Sequence, residues 1–185
     1  GLGDVYKRQE VDHTLSQSLE LFQRINGERK GSLLDTIDFT VSPSGARMLK
    51  EYLKNPLLDK IDINKRLDYV EMFVQNISSV EKIREALRGT PDLDRTLSRV
   101  SANTNNPKDM LVISNFIEKS NNAFNIILSL KENILSNLVP DKGIRSTMDS
   151  LYSLINKNVS EFTPISVNDG GVIKNNVSEE LDKLR

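Results

Sequence analysis

The chain has 185 residues, with 25 basic and 26 acidic side chains, one histidine, and neither cysteine nor tryptophan. That length suits one ordinary domain. The missing thiols exclude a disulfide framework, a thiolate zinc site and a cysteine nucleophile, and a single histidine cannot form a histidine metal cluster. Charges of both signs are spread evenly, so no third of the chain is basic enough to serve alone as a nucleic-acid surface. No apolar run approaches the ~20 residues that cross a bilayer, and no signal-peptide pattern opens the chain, so a cytoplasmic protein without a membrane partner is expected.

Apolar residues recur at steps of three and four, which predicts an all-α chain. Residues 1–9 share no pattern with the rest of the chain. Their stretch Asp4 to Gln9 resembles a translated sequencing adapter and is set aside from fold reasoning. Leu15, Leu19 and Phe22 predict a helix from about Asp12 to Gln23, stopped by the turn dipeptide Asn26-Gly27. Ser32 precedes a short apolar run of Leu33, Leu34 and Ile37. Ser42-Pro43 supplies an N-cap hydroxyl and a first-turn proline for a helix to Lys54, ended by Pro56.

Asp59 or Asp62 caps the next helix, whose buried stripe is read as Ile63, Leu67, Val70 and Val74 and whose end falls near Asn76. Val80, Ile83 and Leu87 predict a helix closed by Gly89. Leu93, Leu97 and Val100 predict another that opens at Pro91-Asp92 and dissolves in Asn103 to Asn106. After Pro107, the residues Ile113, Phe116, Ile117, Phe124, Ile127 and Leu128 hold one face for about six turns, longer than the usual three or four, so this helix is expected to project. Asp141 caps a further helix carrying Ile144, Met148, Leu151 and Ile155. The region 163–175, with Pro164 and Asn168 to Gly171, reads as a turn with short extended segments, and Ser178-Glu179-Glu180 begins a last helix. That helix has only Leu181 and Leu184 as apolar residues and no C-cap, so the chain is expected to be a piece of something longer.

Motifs that carry chemistry fail one by one. Gly27 to Ser32 lacks phosphate-loop spacing, since three residues separate its glycines and Lys30 precedes the second; a basic surface turn is the better reading. His13 has no nucleophile to serve. The carboxylate pairs Asp35/Asp38 and Asp92/Asp94 sit at helix starts, where capping explains them more simply than acid–base catalysis. Arg66, Arg95 and Arg99 suggest ion pairs within the bundle, with Asp92 or Asp94 in reach of the last two, or a polar network that fixes how the short helices dock. Asn103 to Asn106 suits a linker better than a binding loop. No catalytic, cofactor-binding or metal-ligating residue is assigned.

One ordered constellation is more specific: Asp12-x-Thr14, Leu19-Glu20-Leu21, Gly31-Ser32-Leu33-Leu34, Asp38-x-Thr40, Gly45-x-Arg47-x-Leu49, Tyr52-Leu53-x-x-Pro56-Leu57, Ile63-x-x-Arg66-Leu67-Asp68-x-Val70, then Asp92-Leu93-Asp94-Arg95-x-x-x-Arg99. It resembles the core domain of the MutS family of bacterial DNA mismatch-repair proteins. The likeness continues through Pro107 to Met110, Asp169 to Ile173 and Glu179 to Asp182, covering about Glu10 to Arg185. It implies a core helical bundle over 10–105, outgoing lever helices over 106–160, and a connector over 161–185 that starts the helix toward a clamp outside this chain.

The resemblance further implies a parent that uses ATP and magnesium, a second MutS subunit, the partner MutL, and mismatched duplex DNA bound through other domains. The family's Gly-x4-Gly-Lys-Ser/Thr nucleotide loop does not occur here, and Phe-x-Glu occurs only as Phe116-Ile117-Glu118 within the long apolar helical stripe, not in the N-terminal domain where the family's mismatch wedge lies, so no catalytic or base-reading residue carries over. Tyr52 stands where the family often has Trp, which keeps an aromatic on the packed face. The expected role is mechanical coupling of ATPase to clamp. The alternatives are a free-standing helical adaptor that takes a partner helix along the Ile113 to Leu128 face, and a MutS relative acting in recombination.

Overall fold

The computed structural model describes residues 11–184. The adapter-like stretch, residues 1–9, lies outside the described residues. The described chain is helical and includes one antiparallel bridge between described residues. It divides after Glu81 into two compact parts, each taken by itself.

In the first part, α1 (His13–Ser18) is capped by Asp12, whose carboxylate accepts from the Leu15 amide at 2.8 Å. The helix stops well short of Gln23. Glu20 turns into the left-handed region at φ 48°, and the amides of Glu20 and Leu21 close back on Gln17 and Ser16. This is the two-bond helix end usually built on glycine. The early stop frees the carbonyls of Glu20 and Leu21 to receive the first two amides of α2 (Leu33–Ile37), those of Leu33 and Leu34. Leu21 and Leu34 are buried as a result, and Ser32, fully buried, caps α2.

Helix α3 (Pro43–Lys54) matches its sequence signals at both ends. The Ser42 hydroxyl accepts from Gly45, where a Cβ would sit 3.1 Å from that same oxygen. Helix α4 (Lys60–Gln75) is capped by Asp59 and ends at Asn76, but it does not bury its apolar stripe. Leu67 is 57% exposed and Val74 61%. The half-buried side carries Arg66, Tyr69 and Phe73 instead, and the Arg66 guanidinium lies over the Tyr52 ring at 3.7 Å. Helix α5 (Ile77–Leu87) spans the division of the chain.

The second part is organised by α7 (Lys108–Ser129), which packs against α6 (Leu93–Ser101), α8 (Asn133–Ser136) and α9 (Lys142–Asn158). Its twenty-two residues give the six turns that the apolar spacing predicts. Two stripes are rotated from expectation. In α6, Thr96 is buried and Leu97 exposed; in α9, Ile144 and Leu151 are exposed while Ile155 is buried. The short helix α8, which the apolar spacing does not predict, carries Leu135, which is completely buried.

The extended segments expected over 163–175 reduce to one antiparallel bridge, Val159 with Ile173. Its first partner therefore lies before that region. Two backbone bonds flank it, Ser160 amide to Val172 carbonyl and Lys174 amide to Asn158 carbonyl, each 2.8 Å. A 3₁₀ turn over Val167–Asp169 and Gly170 and Gly171, both at positive φ, make the reversal. Ser178 caps α10 (Glu179–Leu184) through the Leu181 amide. No described helix is long and apolar enough to cross a membrane.

Candidate functional site

The most elaborate polar arrangement is the joint between α6 and α7. Asp92 opens α6 by accepting from the Arg95 amide, and the helix ends with Asn103 at φ 53°. The Asn103 amide bonds the Val100 carbonyl, and the Thr104 amide bonds the Arg99 carbonyl. Asparagine tolerates this left-handed closure better than most residues. Two residues later a capping box starts α7. The Asn106 side chain accepts from the Lys108 amide, and Asp109 reaches back to accept from the Asn106 amide, both at 2.9 Å. Pro107, between them, has no amide to leave unsatisfied.

Arg99 joins the two ends. Its guanidinium makes a two-pronged ion pair with Asp109 and also donates to the Thr96 hydroxyl at 3.2 Å. The Asp109 side chain is 3% exposed and that of Arg99 34%. Arg99 holds the Asp109 carboxyl below its ordinary value against the opposing effect of burial, with help from the Asn106 amide. The same pairing raises the Arg99 guanidinium, and the negative field of Asp92 adds to it. A buried carboxylate that accepts from both Arg99 and the Asn106 amide fastens the six-residue linker between α6 and α7.

The other polar groups singled out in the sequence are fasteners too, in separate places. Asp38 accepts from the Thr40 hydroxyl and amide and pairs with Arg29 at 2.7 Å. Its carboxyl is lowered chiefly by the Thr40 hydroxyl, opposed by burial and aided by Arg29. Asp35 accepts from the Gly31 amide at 2.9 Å, so a carboxylate of the chain itself occupies the turn that invited comparison with a phosphate loop. His13 is exposed. Asp35 and Asp38 thus face different donors and share no substrate-sized cleft, while Asp92 works as a cap. Among the described residues, no group of three or more potential metal ligands gathers.

Sequence reasoning found Arg99 and the nearby Asp92, whose field reaches it, but missed the ion pair with Asp109. Asp109 stood only within the fainter motif Pro107 to Met110. The signal that identifies it is the capping-box spacing Asn106-Pro107-x-Asp109.

These features define a helical domain whose singled-out polar residues fasten helix ends and turns. The chain belongs to the MutS domain III family, whose model matches residues 14–184. It is 34% identical over 177 residues to the DNA mismatch repair protein MutS of Caldicellulosiruptor bescii, covering 95% of this chain and 20% of that protein. It is also 34% identical to the MutS of Rickettsia bellii, over 98% of this chain and 20% of the relative, and 35% identical to that of Clostridium tetani, over 95% and 20%. The chain spans about a fifth of the length of these relatives.

Proposed function

We propose that this chain is the core and outgoing-lever part of a DNA mismatch-repair ATPase and that its work is mechanical. It passes the state of an ATPase at one end to a DNA clamp at the other. Residues 10–105 serve as the core, 106–160 as outgoing levers and 161–185 as the connector toward the clamp. The fragment itself performs no catalysis in this reading and holds no cofactor; ATP and magnesium, mismatched duplex DNA, a second MutS subunit and MutL belong to the whole protein, which works in the cytoplasm on the nucleoid. The observation that carries the reading is the Arg99–Asp109 joint, which ties the start of α7 to α6. A transmitter needs stiff elements and stiff joints.

The test places Asp109→Ala in the whole protein and measures three quantities: mismatched-DNA binding, ATP hydrolysis, and ATP-driven release of the DNA. Binding and hydrolysis persist while release slows by roughly 5- to 150-fold, the usual span of a coupling energy. Unchanged release from a variant with a loosened joint overturns the proposal.

A further inference from the structure

The seam between α7 and α9 is polar, and its register is regular. The Ser114 hydroxyl donates to Asn156 at 3.1 Å, Asn121 donates to Asp149 at 2.7 Å, and Arg145 donates to Asn125 at 2.9 Å. Seven residues forward along α7 is seven back along α9, then four forward is four back, so all three bonds belong to one antiparallel register. This register leaves two buried polar atoms without a partner, the Asn121 side-chain oxygen and the Arg145 Nε. They sit in neighbouring rungs. An unsatisfied buried polar group destabilises the arrangement that contains it and calls for an explanation.

A slip of one helical turn in the direction that carries Arg145 toward the end of α7 changes every rung and keeps each polar. Arg145 then faces Ser129, Asp149 faces Asn125, Ser153 faces Asn121, and Asn156 faces Glu118. The Ser153 hydroxyl offers the Asn121 oxygen the donor it lacks. A slip of one turn the other way places Asp149 against Ile117 and Asn156 against Met110, and is disfavoured because two of the three rungs then lose a polar partner. The seam is therefore asymmetric, with one polar-compatible alternative. A packed seam favours whole-turn steps over continuous sliding, since side chains sit in discrete holes.

We propose that α7 and α9 form a two-register device, with a second state one turn, about 6 Å, from the one described. The inference goes beyond the proposed function and needs neither DNA nor nucleotide to test, so its failure leaves that reading standing. The chain contains no cysteine, which makes thiol trapping clean. Three double variants of the full chain are oxidised side by side: Asn121→Cys with Asp149→Cys for the register described, Asn125→Cys with Asp149→Cys for the slipped one, and Asn121→Cys with Arg145→Cys for the disfavoured slip. Disulfides tolerate little misplacement, so each pair reports its own register.

The first pair closes quickly. The second closes more slowly but to completion, as trapping drains a minor state populated at roughly 0.1–10%, and the third stays open. A second pair that closes no faster than the third overturns the proposal, and so does a first pair that fails to close. Should the cysteines disturb folding, as read by helix content, spin labels at the exposed positions Asn115 and Lys142, far apart along the seam, answer the same question. Two distance populations differing by roughly 5 Å support the device, and a single narrow one refutes it.

Discussion

Replacing Asp109 by alanine tests the joint most directly. The carboxylate is nearly completely buried, accepts two bonds from Arg99 and one from the Asn106 amide, and starts the longest helix of the chain. The substitution removes a charge-assisted pair and leaves the Asn106 amide without its acceptor, while Arg99, a third exposed, turns to water. Bonds to charged groups contribute about 1.5–3 kcal/mol and breaking a buried pair costs about 3–5. Solvent access for Arg99 puts the expected loss near the lower end, about 3 kcal/mol. For a chain of this size that lowers the melting midpoint by roughly 6–12 °C. The assay is circular dichroism at the helix band, with urea melts to check that the slope is unchanged. Combining Asp109→Ala with Arg99→Ala should cost little more than Asp109→Ala alone, because the shared bond is already gone. A loss below about 0.5 kcal/mol, the level of an ordinary surface substitution, or full additivity of the two variants, would refute the reasoning.

Because the folded Asp109 carboxyl lies below its ordinary 3.8, the stability it contributes is fully present above that value and is lost as pH falls through the lowered folded value; Asp109→Ala should therefore flatten the acid limb of stability against pH below about 4. Leu135→Ala empties a completely buried position and should cost about 2–5 kcal/mol, read by urea denaturation, although it lies on a helix of four residues. Tyr52→Trp keeps a ring beneath Arg66 and should be near neutral, whereas Tyr52→Leu loses about 0.5–1 kcal/mol of cation–π attraction beyond packing; equal melts for the two variants would show that the contact contributes nothing. Asn103→Val forces a β-branched residue into the left-handed end of α6 and should cost about 1–2 kcal/mol, while Asn103→Gly should not destabilise.

Most helix boundaries are written in the local sequence. Ser42, Asp59, Asp92 and Asp141 were legible as caps, and Pro56 and Gly89 as stops, because each acts on backbone groups within a few residues and its side chain type announces the bond it makes. The ordered motifs over the first hundred residues also sufficed to place the family, since a shared fold preserves the order and spacing of its fasteners. Which face of each helix turns inward was settled only by packing. Leu67 and Val74 face outward on α4 while Arg66 stacks on Tyr52, and Ile144 and Leu151 lie exposed on α9 while Arg145, Asp149 and Asn156 bond across to α7. Packing also ended α1 at Ser18, where carbonyls were needed by the next helix, and gave Arg99 a further partner ten residues away. Hydrophobic periodicity reports amphipathic order along one helix, whereas rotation and pairing are set by groups distant in sequence, whose contributions exist only once the helices have met.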